Sequence, residues 1–119
     1  MIGYDLDGTL ANTNFALQDK LTLAQIFERA GVIRTPDKPF IVITARQHAT
    51  STQRQATLDW LHKNQPNYKG IHYVTGSELQ IIKAKADLIN RLKLTDFYDN
   101  NPNIVAERRK QTTATIHKV

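Results

Sequence analysis

At 119 residues the chain has the length of one domain, residues 1–119, with room for one modest core and none for a second folded unit. Its apolar fraction of 40% is that of a globular protein, and nothing in it reads as a membrane-spanning run or a signal peptide, so a cytoplasmic location is expected. The absence of cysteine excludes disulfides, thiolate zinc sites and a cysteine nucleophile, and the net charge of +5 leans towards anionic partners such as nucleotides or nucleic acid.

Ile2, Gly3 and Tyr4 form an apolar lead-in that reads as a short buried strand. Residues 8–20 turn polar and irregular after Leu10 and read as a loop. Leu23, Ile26, Phe27 and Ala30 share one helical face, and Gly31 suits that helix's end. Pro36 and Pro39 punctuate a loop before Phe40-Ile41-Val42-Ile43, a continuous apolar run expected of a strand covered on both faces. Ser51 or Thr52 suits the cap of a helix running to about Asn64, with Leu58 and Leu61 inward and Trp60 packed beside them.

Ile71 to Val74 reads as a strand and residues 79–93 as a long helix. Phe97 and Tyr98 belong to a further short strand, residues 103–110 to a helix, and Ala114 to Val119 to a last strand. Arg108, Arg109 and Lys110, the densest basic run, suit a solvated helix end. This alternation predicts an α/β fold: a Rossmann-like three-layer sandwich with a mostly parallel sheet of about five strands and right-handed crossovers. Such sheets seat ligands at the carboxyl ends of their strands, where Asp5, Thr44 and Asp99 all fall.

The chemistry concentrates in Asp5-Leu6-Asp7-Gly8-Thr9-Leu10. In extended chain, positions i and i+2 face the same side, so Asp5 and Asp7 can share one small space. Gly8 allows a sharp turn that brings backbone N–H groups near an anion. Two acids followed by a glycine and a hydroxyl suit a divalent cation and a phosphate. A calcium loop is excluded on spacing, because residues 9–18 contain no acid. Arg46 offers a planar fork of donors for phosphate. On the helix at 79–93, Lys85 shares a stripe with Ile81, Leu88 and Leu92, whereas Lys83 lies on the polar face with Asp87 and Asn90. A lysine on an apolar face needs an anion or must reach water, which singles out Lys85.

The stretch from Asp5 to Thr9 resembles motif I of the haloacid dehalogenase superfamily of phosphohydrolases. Ile41-Val42-Ile43-Thr44 resembles its motif II, Lys85 its motif III, and Phe97-Tyr98-Asp99-Asn100-Asn101-Pro102 its motif IV, with Asn100 where the family usually has a second acid. More narrowly, the chain looks like the phosphatase domain of phage-type polynucleotide kinase-phosphatases. The resemblance implies a Mg2+-dependent phosphomonoesterase. In it Asp5 is the nucleophile that forms an aspartyl-phosphate, and Asp7 the acid and base. Lys85, Thr44, Arg46 and Gly8 hold the phosphate, and Asp5, Asp7, Asn100 and Asp99 hold the metal. The gaps 10–39 and 45–70 leave no room for a cap domain. The implied open site favours a nucleic-acid terminal phosphate, as in a 3′-phosphatase, or a nucleotide. The alternative is a phosphate- or nucleic-acid-binding module that does no chemistry, which the Asp-to-Asn departure at Asn100 supports.

Overall fold

In this computed structural model the described residues are 1–13, 27, 29–45, 51–100, 105 and 111–119, with only the backbone at 51–53. The strands are β1 (Ile2–Tyr4), β2 (Ala11–Asn12), β3 (Gly31–Val32), β4 (Phe40–Thr44), β5 (Tyr68–Tyr73), β6 (Asp96–Asp99) and β7 (Thr115–Lys118). Helix α1 (Ser51–Asn64) joins β4 to β5, and α2 (Glu78–Arg91) joins β5 to β6.

The main sheet has the order β5-β4-β1-β6-β7, and every pairing in it is parallel. From β1 the chain steps outward through β4 to β5, then crosses back over the sheet to β6 and β7. Right-handed crossovers running in opposite directions must place their helices on opposite faces. The packing follows that rule. Trp60 and Leu61 of α1 join Tyr4, Phe40 and Val42 in one core, while Leu88 and Ile89 of α2 join Ile43, Phe97 and Ile116 in the other. The apolar run of β4 serves both cores, since Phe40 and Val42 point one way and Ile43 the other. The chain is therefore an α/β protein with a five-stranded parallel sheet between helices, as its sequence predicts.

Gly3 lies mid-strand in β1, where a Cβ would come within 2.7 Å of Leu94 Cδ1 and 2.8 Å of Phe97 Cδ2. Its lack of a side chain lets the chain leaving α2 press against the central strand. Helix α2 starts with a capping box: Ser77 accepts from the Gln80 N–H, and the Gln80 side chain accepts from the Ser77 N–H. Across the other face, Phe40, Tyr4, Tyr98 and His117 form a ladder of rings, with Tyr4 and Tyr98 stacked at 4.6 Å and Tyr98 and His117 at 4.4 Å. Burial in this ladder pushes the Tyr4 hydroxyl above its usual pKa.

Several boundaries differ from the sequence reading. Residues 11–12 form β2, which pairs antiparallel with β3, where the sequence suggests only loop. Gly31 belongs to β3 rather than to a helix end; its φ is not positive, so its choice is not a capping matter. Strand β5 begins at Tyr68, three residues ahead of the apolar signal at Ile71, because an edge strand needs little apolar patterning. Ser51 and Thr52 are both already helical, so neither is the cap of α1. Of the helices expected before Gly31 and over 103–110, Phe27, Arg29 and Val105 are helical, Ala30 is not, and the rest lies outside the described residues.

Candidate functional site at the carboxyl edge of the sheet

Strand order reverses between β1 and β6, and a parallel sheet opens a crevice at the carboxyl ends of its strands there. Asp5 follows β1 at this point, and its N–H donates to the Tyr98 carbonyl at 3.0 Å, locking the exit of β1 to that of β6. Asp99 ends β6 and is buried. Thr44 ends β4, also buried, and its carbonyl accepts from the Val74 N–H at 2.9 Å.

Beyond Asp5 the chain coils around one carbonyl. The N–H groups of Thr9, Leu10 and Ala11 all donate to Leu6 O, and Gly8 N–H donates to Ala11 O. This turn needs φ +75° at Gly8, a conformation that costs an L residue about 1–2 kcal/mol. Gly8 also touches Asn100: a Cβ there would sit 2.4 Å from Asn100 Nδ2. Thr9 is fully buried in the turn, and its Oγ1 has no hydrogen-bond partner among the described residues.

Lys85 lies on the buried face of α2 and is only 3% exposed. Its Nζ donates to Asp5 Oδ1 at 3.0 Å, and the Asp5 side chain retains 14% exposure. Taking an ammonium out of water is costly without a charged partner, so the pair both places Lys85 at the strand ends and explains its burial. Lys83, Asp87 and Asn90 are exposed, as their helical positions predict. The buried face of α2 is centred on Ile82, Lys85, Ala86, Leu88 and Ile89, with Ile81 and Leu92 at its margins.

The structure thus joins Asp5 with Lys85 and Gly8 with Asn100, and sets Thr44 and Asp99 at neighbouring strand ends. Asp7 takes another partner: Thr13 Oγ1 donates to its Oδ1 at 2.9 Å. Sequence reasoning missed Thr13, since nothing in a segment read as loop links it to Asp7; only the β2 turn brings the two together. Arg46 lies outside the described residues. Among the described residues, no three carboxylate or imidazole side chains converge into a ready metal group. The donors expected for Mg2+ are instead divided, Asp5 towards Lys85 and Asp7 towards Thr13.

No protein-family model matches the chain, and no curated protein matches it. Among solved structures it resembles a universal stress protein in complex with cAMP, at 13% identity and a TM-score of 0.50 over 99% of this chain and 94% of that one. These comparisons correct the phosphatase reading. The motif resemblance to haloacid dehalogenases has no counterpart in them, and a solved structure that aligns over the length of the chain is a universal stress protein. The aspartyl-phosphate route and the hydrolase, 3′-phosphatase and nucleotidase assignments rested on that resemblance and fall with it. The physical reason lies in the brevity of the motif: a strand that ends in Asp-x-Asp-Gly-Thr presents its acids at the ligand edge of any sheet of this order, whatever is done there. At this identity the likeness establishes the fold, a Rossmann-like three-layer α/β arrangement.

Proposed function

We propose that the chain is a nucleotide-binding module that performs no chemistry on its ligand and seats the phosphate at the carboxyl edge between the Asp5–Thr9 turn, Thr44 and Lys85. The observation that carries this reading is Lys85, a buried ammonium held at the strand ends, 3.0 Å from Asp5, where the strand order reverses. That is where folds of this order receive anionic ligands, and the solved structure sharing the fold holds cAMP. The net charge of +5 favours such a ligand in the same direction. The lack of cysteine suits work in a reducing cytoplasm.

The edge also carries Asp5, Asp7 and Asp99, a surplus of acid over its buried lysine among the described residues. A bare phosphate would be repelled by it. Mg2+ is commonly held by one or two carboxylates together with ligand phosphates. We therefore expect Mg2+ to enter only with the nucleotide, whose phosphates would draw Asp5 from Lys85 and Asp7 from Thr13; Asp5, Asp7, Asp99 and the side-chain carbonyl of Asn100 are the oxygen donors this edge offers it.

Calorimetric titration tests the reading, with AMP, cAMP, ATP and a 3′-phosphorylated oligonucleotide, each with and without Mg2+. Saturable binding of a nucleotide is expected, weakened at least tenfold by Lys85→Ala and unchanged by Lys83→Ala. Equal affinity in Lys85→Ala, with its fold intact, would remove the site. Binding of the oligonucleotide alone would move the assignment to nucleic-acid ends.

A further inference from the structure

The acids and the buried lysine of the carboxyl edge belong to β1, β6 and α2, on one half of it. The other half is made by β4 and β5. There Thr44 is the register partner of Tyr73, so the two stand side by side on strands about 4.8 Å apart. Alternation sets both on the face that α1 covers. Phe40 and Val42 pack in that core and Thr44 continues their series; Ile71 packs against it and Tyr73 follows two residues on.

Arg54, near the start of α1, lies over this pair: its guanidinium carbon is 5.4 Å from the centroid of the Tyr73 ring. The ring meets a face of the guanidinium, whereas the N–H donors lie in its plane. The contact therefore orients the group and leaves its donors directed outward, in the fork that phosphate oxygens accept. Arg54 is exposed, so a ligand arriving from solvent meets it. The two cations approach the edge from opposite faces, Lys85 from α2 and Arg54 from α1. Asp5, the partner of Lys85, follows β1, and Tyr73 ends β5, two strand spacings or roughly 10 Å away. A phosphate oxygen meets its donors at about 3 Å. One phosphate at Lys85 therefore leaves Arg54 out of reach, while two or three linked phosphates extend past Thr44 towards it. Resting on the nucleotide reading of this edge, we propose that Arg54 holds the phosphates beyond the one seated at Lys85, so that the site selects nucleoside di- and triphosphates over monophosphates.

Calorimetric titration with AMP, ADP and ATP, each with Mg2+, on wild type, Arg54→Ala and Lys63→Ala provides the test. Alanine is the best helix former, so Arg54→Ala keeps α1, and circular dichroism checks the fold of each variant. Lys63 is also exposed on α1, about 13 Å further along the helix, so Lys63→Ala removes the same charge away from the edge. Wild type should bind ADP and ATP at least tenfold more tightly than AMP. Arg54→Ala should weaken ADP and ATP about tenfold and leave AMP unchanged, and Lys63→Ala should alter none of the three. Equal affinity of wild type for AMP and ATP, unchanged ATP affinity in folded Arg54→Ala, or an equal loss for all three nucleotides in that variant would overturn the role of Arg54 and leave the nucleotide site standing. Failure of all three to bind wild type would instead remove the site itself, and this extension with it.

Discussion

At the scale of single residues, the Asp5–Lys85 pair sets the character of the edge. Removing one partner of such a pair leaves the other poorly solvated, so substitutions have opposed effects on stability and on binding. Asp5→Asn keeps a carbonyl oxygen for Lys85 but removes a charge that repels phosphate. Without Mg2+ this variant should bind nucleotide more tightly, by about three- to tenfold, while losing on the order of 1–3 kcal/mol of stability. Titration calorimetry and urea unfolding measure the two effects on the same preparation. Weaker binding would show that Asp5 instead positions Lys85 for the ligand. Lys85 was legible in the sequence because a charged residue on an apolar helical stripe is costly, and the pattern alone separates it from Lys83. The division of the two acids was not legible. Alternation places Asp5 and Asp7 on one side of an extended chain, but the chain stops being extended at Leu6, whose carbonyl gathers three N–H groups. Asp7 then turns towards Thr13, at a distance no local rule anticipates.

At the scale of elements, the two-core packing fixes which strand positions tolerate change. Gly3 in β1 has the chain leaving α2 pressed on it, with Leu94 and Phe97 both within 3 Å of a built Cβ. Gly3→Ala should destabilise the fold by about 1–3 kcal/mol through overpacking, despite alanine's better strand propensity. Denaturant unfolding checks it; a stability gain would mean that the contact between α2 and the central strand is loose.

The β6–β7 pair offers a pH test. His117 Nε2 lies 2.9 Å from Asp96 Oδ1, and this hydrogen bond, ahead of one from Thr95, holds the Asp96 carboxyl below its ordinary range. A depressed carboxylate adds stability above its unfolded pKa and loses it as pH falls through the folded one. Melting temperature should therefore drop slightly more in wild type than in His117→Ala between pH 5 and pH 2. The difference stays small because both groups are about a third exposed and screened. The helices were legible, but the start of α2 was not placed: its Ser77-x-x-Gln80 capping box sets the first turn at Glu78, a signal that the reading at 79–93 passed over. Strand β5 was read short because edge strands carry mixed residues. The small β2–β3 sheet was missed because two-residue strands have no periodicity to read.

For the whole molecule, alternation of strand and helix predicts the sheet, and the chain's own crossovers then dictate the layers and the ligand edge. The same logic shows why a motif at that edge does not settle what is done there: the fold delivers strand-end acids to the crevice for binding and for catalysis alike. Phosphorus NMR of ATP and AMP titrated with the 119-residue chain, with and without Mg2+, addresses both parts of the central claim in one spectrum. The account predicts that the nucleotide phosphorus lines shift or broaden with added protein, that Lys85→Ala abolishes the change, and that no inorganic phosphate line grows over hours. Unperturbed nucleotide lines, or a growing inorganic phosphate line that vanishes in Asp5→Asn, would contradict it.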